Sequence, residues 1–305
     1  MDLYFAGSSH NTSSRWINEL QLNRLFSKEL NRTEIKRMVE KKQSGEYTGK
    51  ILIDSGAFTA HRQDIEIDVD EYIEYLNSIT EYVNCYAQVD KIPGKFGKPK
   101  TDEDLAEAPR LSWENYLYMR PKLKEPDKLM PIYHQGEKVE WLRNMLEWTD
   151  DNSNHVKYIG ISPANDKPQS EKNKFIEMCF REIKNSSNPN VMTHAYGMTN
   201  LKTLSEYPIT SADSTSWVLT AVNGNIMTKW GSLAISDRRL GSGHYRGLTP
   251  SAQEVIKQYI EDRGFTVEVL ESNYLERIHW NILYLKDWAE QYQLTPKKET
   301  RKRLF

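Results

Sequence analysis

Short apolar segments return along the chain at 3–7, 51–54, 83–90, 129–135, 156–162, 191–197 and 209–213. Many are followed by stretches whose apolar residues recur at helical spacing, at 70–82, 112–122, 139–148, 171–183 and 200–206. An eighth strand is expected at 225–230. Strands that alternate with helices pair in parallel, because each crossover brings the chain back in the same direction. Seven or eight such units fit an α/β fold of the TIM type, a (β/α)8 barrel, better than an open sheet. No Pro-, Gly- or Ser-rich linker and no low-complexity tract divides the 305 residues. The expectation is one domain over 1–305, with extra helices at 251–263 and 274–293 and a basic tail at 297–305.

Composition narrows the class. At 38% hydrophobic and 28% charged the chain is too apolar for disorder. No apolar run approaches the roughly 20 residues of a bilayer-spanning helix. The opening "MDLYFAGSSH" has neither a basic n-region nor a long apolar core, so no signal peptide is expected. Two cysteines far apart, Cys85 and Cys179, make neither a disulfide framework nor a cysteine-rich zinc site, and a reducing cytoplasm is the expected location. A net charge of -2 carries no global signal for nucleic acid. Local charge does: "KIPGKFGKPK" holds Lys91, Lys95, Lys98 and Lys100 without an acid, and "KKETRKRLF" closes the chain with five basic residues against one acidic.

A barrel carries its chemistry where the strands end. Here those ends are Asp54 and Ser55, Asp90, His134 and Gln135, Gly160 and Ser162, His194 and Tyr196, then Asp213 and Ser214. Any one of them alone reads more readily as a turn former or helix cap; six consecutive polar strand ends do not. Three carry an aspartate, which is enough for a nucleophile and a proton-transfer group. The rival is a magnesium or zinc site built from the carboxylates with His134 or His194. No HxH or HExxH spacing supports it, and no metal or other cofactor is expected.

Five segments resemble tRNA-guanine transglycosylases, in that family's order and over roughly 50–217. "DSGAF" is similar to their Asp-Ser-Gly-Gly-aromatic motif, and "IYHQGE" to their strand ending in Gln-Gly. "YIGIS" resembles the Gly-Gly-Leu turn with one glycine instead of two, and "HAYGMTNLKTL" resembles Leu-Met-Gly-Val-Gly with its following helix. "ITSADSTSW" stands where the nucleophilic aspartate does. The resemblance implies a TIM barrel that exchanges guanine for a 7-deazaguanine through a covalent sugar–aspartate intermediate. It makes Asp213 the nucleophile and Asp54 the general acid/base. Ser55, Asp90, Gln135 and Gly160 would read the base edge, and Phe58 and Tyr196 would stack on its faces. His194 and Gly197, on either side of Tyr196, belong to the same base site.

Two features depart from that family. No cysteine follows Cys179, so its zinc subdomain is missing, and "DSTSW" replaces the Pro-Thr-Arg element after the nucleophile. The compact, zinc-free form resembles the phage-type enzymes that insert 7-deazaguanines such as 7-cyano-7-deazaguanine into DNA. DNA is therefore the expected polymer, with the lysines at 91–100 on its phosphates and the base out of its stack. Transglycosylation on tRNA, a nucleic-acid glycosylase that uses water, and a non-catalytic modified-base-binding barrel are the alternatives.

Overall fold

The structure, a computed structural model, describes residues 1–7, 11–95, 97–99, 101–198, 200–238 and 243–296. Nine strands form one sheet: β1 (Asp2–Phe5), β2 (Arg24–Ser27), β3 (Ile51–Asp54), β4 (Cys85–Ala87), β5 (Leu129–Met130), β6 (Ile132–His134), β7 (Tyr158–Ser162), β8 (Met192–Ala195) and β9 (Ser211–Ser214). Their spatial order is β5-β4-β3-β2-β1-β9-β8-β7-β6. The two end members are consecutive in the chain and separated only by Pro131, whose carbonyl accepts the Gly160 N–H at 2.8 Å. The sheet is thus a nearly closed parallel barrel with helices around it, the TIM-type arrangement expected. "ILID" shows why the pattern is so apolar. A strand buried on both faces cannot alternate, and Ile51, Leu52 and Ile53 are all fully buried. Inside, Tyr4, Leu52, Cys85, Met130 and Tyr158 pack as one cluster, with Leu25 and Tyr196 against it.

The chain divides into two compact units: Met1–Tyr4 with Asn23–Asp213 and the described part of 293–305, and Phe5–Leu22 with Ser214–Tyr292. The first contains most of the barrel and its helices α2 (Lys28–Gln43), α3 (Ala57–Arg62), α4 (Val69–Ile79), α5 (Asp102–Met119), α6 (Val139–Glu147), α7 (Gln169–Lys184) and α8 (Leu201–Glu206); α1 (Asn11–Glu19) belongs to the second. That second unit also has α9 (Ser216–Val222), an antiparallel hairpin of β10 (Asn225–Thr228) and β11 (Gly231–Ala234), and helices α10 (Pro250–Glu261), α11 (Val267–Ser272) and α12 (Tyr274–Glu290). It has its own core, with Ile226, Ile235, Ile260, Leu270 and Trp280 fully buried. No described helix is long and apolar enough to cross a membrane.

Two expectations need correcting. The strand expected at 225–230 is β10, which pairs with β11 and is not in the barrel. The barrel strand that the pattern does not reveal is β2, "RLFS", which pairs in parallel with β3. Its pattern is masked by Arg24, a cation only 1% exposed. Burial is tolerated because the guanidinium donates to Glu34 at 3.0 Å and lies 4.6 Å over the Phe26 ring. The helix expected at 112–122 begins ten residues earlier, at Asp102. A capping box between Thr101 and Asp104 starts it, and Pro109, which reads as a breaker, is carried inside. The basic tail at 297–305 lies outside the described residues.

The Arg24 pair yields a test. Glu34→Ala leaves a buried cation without its carboxylate and should cost about 3–5 kcal/mol. Arg24→Met leaves the carboxylate where water reaches it, since the Glu34 side chain is 15% exposed, and should cost clearly less. Urea unfolding of both variants decides, and the reverse ranking would contradict this account.

Candidate active site

β3 ends on Asp54, and the turn behind it folds back onto the carboxylate: Gly56 N–H donates to Asp54 Oδ2 at 2.9 Å. Gly56 has φ +85°, and a Cβ there would lie 2.8 Å from Ser27 Oγ and 2.9 Å from Glu29. Both the backbone angle and the space require glycine. Ser55 is buried at 1% exposure. Loss of water around Asp54, with the neighbouring Asp90 and Asp213 carboxylates, pushes its pKa up to about 7, against the opposing pull of the Gly56 N–H and His134.

Asp90 follows β4 and is held from two sides. Gln88 Nε2 donates to Oδ1 at 2.8 Å, and His134 Nε2 lies 3.3 Å from Oδ2. The other ring nitrogen of His134 lies 3.1 Å from Glu137 Oε1, whose second oxygen accepts the His134 backbone N–H at 3.2 Å. Burial opposes a charge on His134, but Asp90 and Glu137 outweigh it and raise its pKa to about 10. At neutral pH the ring is an imidazolium that donates to a carboxylate on each side. Next in the chain, Gln135 Oε1 accepts from Ala164 N–H at 3.0 Å. That bond fixes the amide so that Nε2 remains as the donor.

Asp213 sits in β9, 7% exposed. Its Oδ1 accepts from Gly197 N–H at 2.8 Å and lies 3.2 Å from His194 Nε2. His194 Nδ1 is 2.6 Å from Ser211 Oγ, which in turn bonds the Tyr158 hydroxyl. His194 is fully buried. Tyr196 packs edge-on to His194, centroids 4.5 Å apart, and its ring lies on Gly160, where a Cβ would come within 2.7 Å of Tyr196 Cε2. The Tyr196 hydroxyl is buried without a hydrogen-bond partner among the described residues.

Phe58, in the first turn of α3, is 60% exposed. Lys91 and Lys95 line a cleft of about 490 Å³ that has Asp90 in its wall together with His61, Glu66 and Asn115. Lys98 is exposed elsewhere on the same loop, and Lys100 lies outside the described residues. Among the described residues no three of His, Cys, Asp and Glu are grouped to hold a metal ion.

Asp54, Asp90 and Asp213 are therefore brought together electrostatically, as the strand-end pattern leads one to expect. Gln88, Glu137, Ser211 and Tyr158 are parts of the site that the sequence does not signal, and it marks His134 only as a strand-end residue and possible metal ligand. Nothing in one dimension pairs these residues with their carboxylates. Comparison with protein-family models and with curated proteins finds no match for the chain.

Asp54 also gives a stability test. The folded protein holds its proton to about pH 7, whereas the unfolded chain releases it near 3.8. This group therefore favours folding fully at low pH, and that contribution is lost as pH rises from about 4 to about 7. Asp54→Asn should flatten this part of the pH–stability curve in urea unfolding. A curve of unchanged shape would mean that Asp54 titrates normally.

Proposed function

We propose that the protein is a base-exchange transglycosylase that replaces guanine in DNA by a 7-deazaguanine through a covalent sugar–aspartate intermediate. One observation carries the reading: three neighbouring carboxylates are held in three chemically different ways. Asp213, with one oxygen pinned, attacks C1′ of the sugar. The glycosidic bond breaks as Asp54 gives its proton to the departing guanine. The incoming 7-deazaguanine then gives a ring N–H proton to Asp54, and its nitrogen displaces Asp213 from C1′. Protons balance over the cycle, and Asp54, with a value about 7, can serve in both directions.

Selectivity follows from donor and acceptor placement. Gln135 offers an N–H to a carbonyl, and Asp90, with His134 beside it, accepts from ring and amino N–H groups. Guanine has that arrangement; adenine would set donor against donor and acceptor against acceptor. Tyr196 forms the floor of the slot and Phe58 its cover. If 129–134 is counted as one strand interrupted at Pro131, the barrel has the eight strands of the (β/α)8 type. The cleft beside Asp90, with Lys91 and Lys95 on its wall, gives a polynucleotide backbone a path past the base site. DNA is proposed over tRNA from the resemblance of this sequence to the phage-type enzymes.

The test is to incubate the protein with guanine-containing DNA or with tRNA and labelled 7-deazaguanine or guanine. Label should enter DNA, and a denaturation-resistant protein–DNA adduct should form, more slowly as pH rises through about 7. Asp213→Asn should abolish the adduct and leave binding intact. An adduct that persists in this variant would remove Asp213 from its role. Guanine released without incorporation would mean hydrolysis, and label entering only tRNA would overturn the DNA assignment.

A separate measurement concerns the polymer. Neutralising Lys91, Lys95, Lys98 and Lys100 together should weaken DNA binding for every sequence. The log–log salt slope should fall by roughly 0.7 to 0.9 for each phosphate that is no longer neutralised, with base preference preserved. An unchanged slope would make the loop structural.

A further inference from the structure

Asp213 is held asymmetrically. Its Oδ1 has Gly197 N–H at 2.8 Å and His194 Nε2 at 3.2 Å, while its Oδ2 has no bond among the described residues. A chain of buried groups continues behind the first oxygen: His194 at 0% exposure, Ser211 at 0% and Tyr158 at 8%. Its hydrogen-bond direction is set by its ends. Asp213 Oδ1 already accepts from the Gly197 N–H, so it accepts from His194 as well and His194 Nε2 carries a proton. A neutral ring then has Nδ1 as an acceptor, and Ser211 Oγ at 2.6 Å must donate to it. Ser211 in turn takes its own bond from the Tyr158 hydroxyl. Burial raises the Tyr158 pKa well above the ordinary phenol value, so that hydroxyl remains a donor.

We propose that His194 is a positioning residue: the directed chain Tyr158–Ser211–His194, with the Gly197 N–H, pins one oxygen of Asp213 and leaves the other free to attack the sugar. The proposal deepens the exchange reading and rests on it. His194 has no exposed surface and bonds the proposed nucleophile, and the proposal gives it this task in place of the base contact that the sequence resemblance implies. A neutral ring also suits the task, because an imidazolium would withdraw charge from the attacking carboxylate, whereas a neutral N–H orients it at less cost.

Two experiments on the full chain separate the failure of this proposal from that of the exchange reading. The first needs no activity. Ring nitrogen shifts of His194 by ¹⁵N NMR in the free protein should report the neutral Nε2–H tautomer, and the Nδ1–H tautomer or an imidazolium would overturn the chain. The second measures the rate of adduct formation with a guanine-containing oligonucleotide. His194→Phe should slow it by about 100-fold, the cost of a misaligned attacking group, with oligonucleotide affinity unchanged. His194→Gln, which places an amide N–H near the position of Nε2, should restore most of the rate, and His194→Asn should not.

Ser211→Ala and Tyr158→Phe remove single hydroxyls, so they remain informative if His194→Phe does not fold. Each should slow adduct formation several-fold. Because Ser211 acts through the ring, Ser211→Ala should have no further effect in the His194→Phe background. Additive effects, or no rescue by glutamine, would overturn the proposal. If the wild-type protein forms no adduct, the exchange reading falls, and the NMR result alone decides whether the chain exists.

Discussion

Carboxylates gathered at one end of a parallel barrel repel one another, and the barrel end is dry enough for that repulsion to matter. Asp54, Asp90 and Asp213 meet the constraint in three different ways. Asp90 receives a cation, His134, clamped from its far side by Glu137. Asp213 receives a backbone N–H and a histidine nitrogen. Asp54 has one backbone N–H, and loss of water, with the neighbouring carboxylates, keeps its proton on. Unequal support gives identical side chains three different settings, one beside a histidine, one pinned by donors and one that keeps its proton. The surrounding donors are enough to make them differ.

Each solution is anchored on a different strand end, which is why the fold suits it. Asp54 ends β3, His134 ends β6, and Asp213 belongs to β9. The registers Tyr133↔Ile161, Gly160↔His194 and His194↔Ser211 tie the strands that bear Gly160, His194 and Ser211 into one ladder. Backbone pairing thus sets the spacing that the hydrogen bonds exploit. Gly160 adds a steric condition: without a side chain it lets the Tyr196 ring lie against the strand, and a single methyl group would push that ring into the space above.

Much of this is legible in the sequence, and what is not has physical causes. The strands that are apolar throughout can be placed, because burial on both faces leaves no other pattern. β2 cannot, since an arginine sits at its head, and only the distant Glu34 makes that arginine acceptable in a core. The segment 225–230 does form a strand, but pairing partner is a tertiary property, and its partner is β11. In the site, strand-end position exposes all three aspartates. The residues that hold them stay hidden. Gln88 lies close in sequence to Asp90 but reads as strand interior, and Glu137 reads as the start of the next helix. Ser211 and Tyr158 are small or aromatic residues of the kind every barrel buries.

The same electrostatics dictates how the pocket responds when it is filled. Loss of water is already the largest cause of the raised value at Asp54. On the proposed reading, a planar base laid against Tyr196 would exclude more water and raise that value further. Phe58, which in the free protein exposes an aromatic ring to water at 60%, is the group whose burial would couple binding to that shift. An aliphatic residue of similar size could cover the slot, but an aromatic one also stacks on the base and so gains most when the ring beneath it is flat.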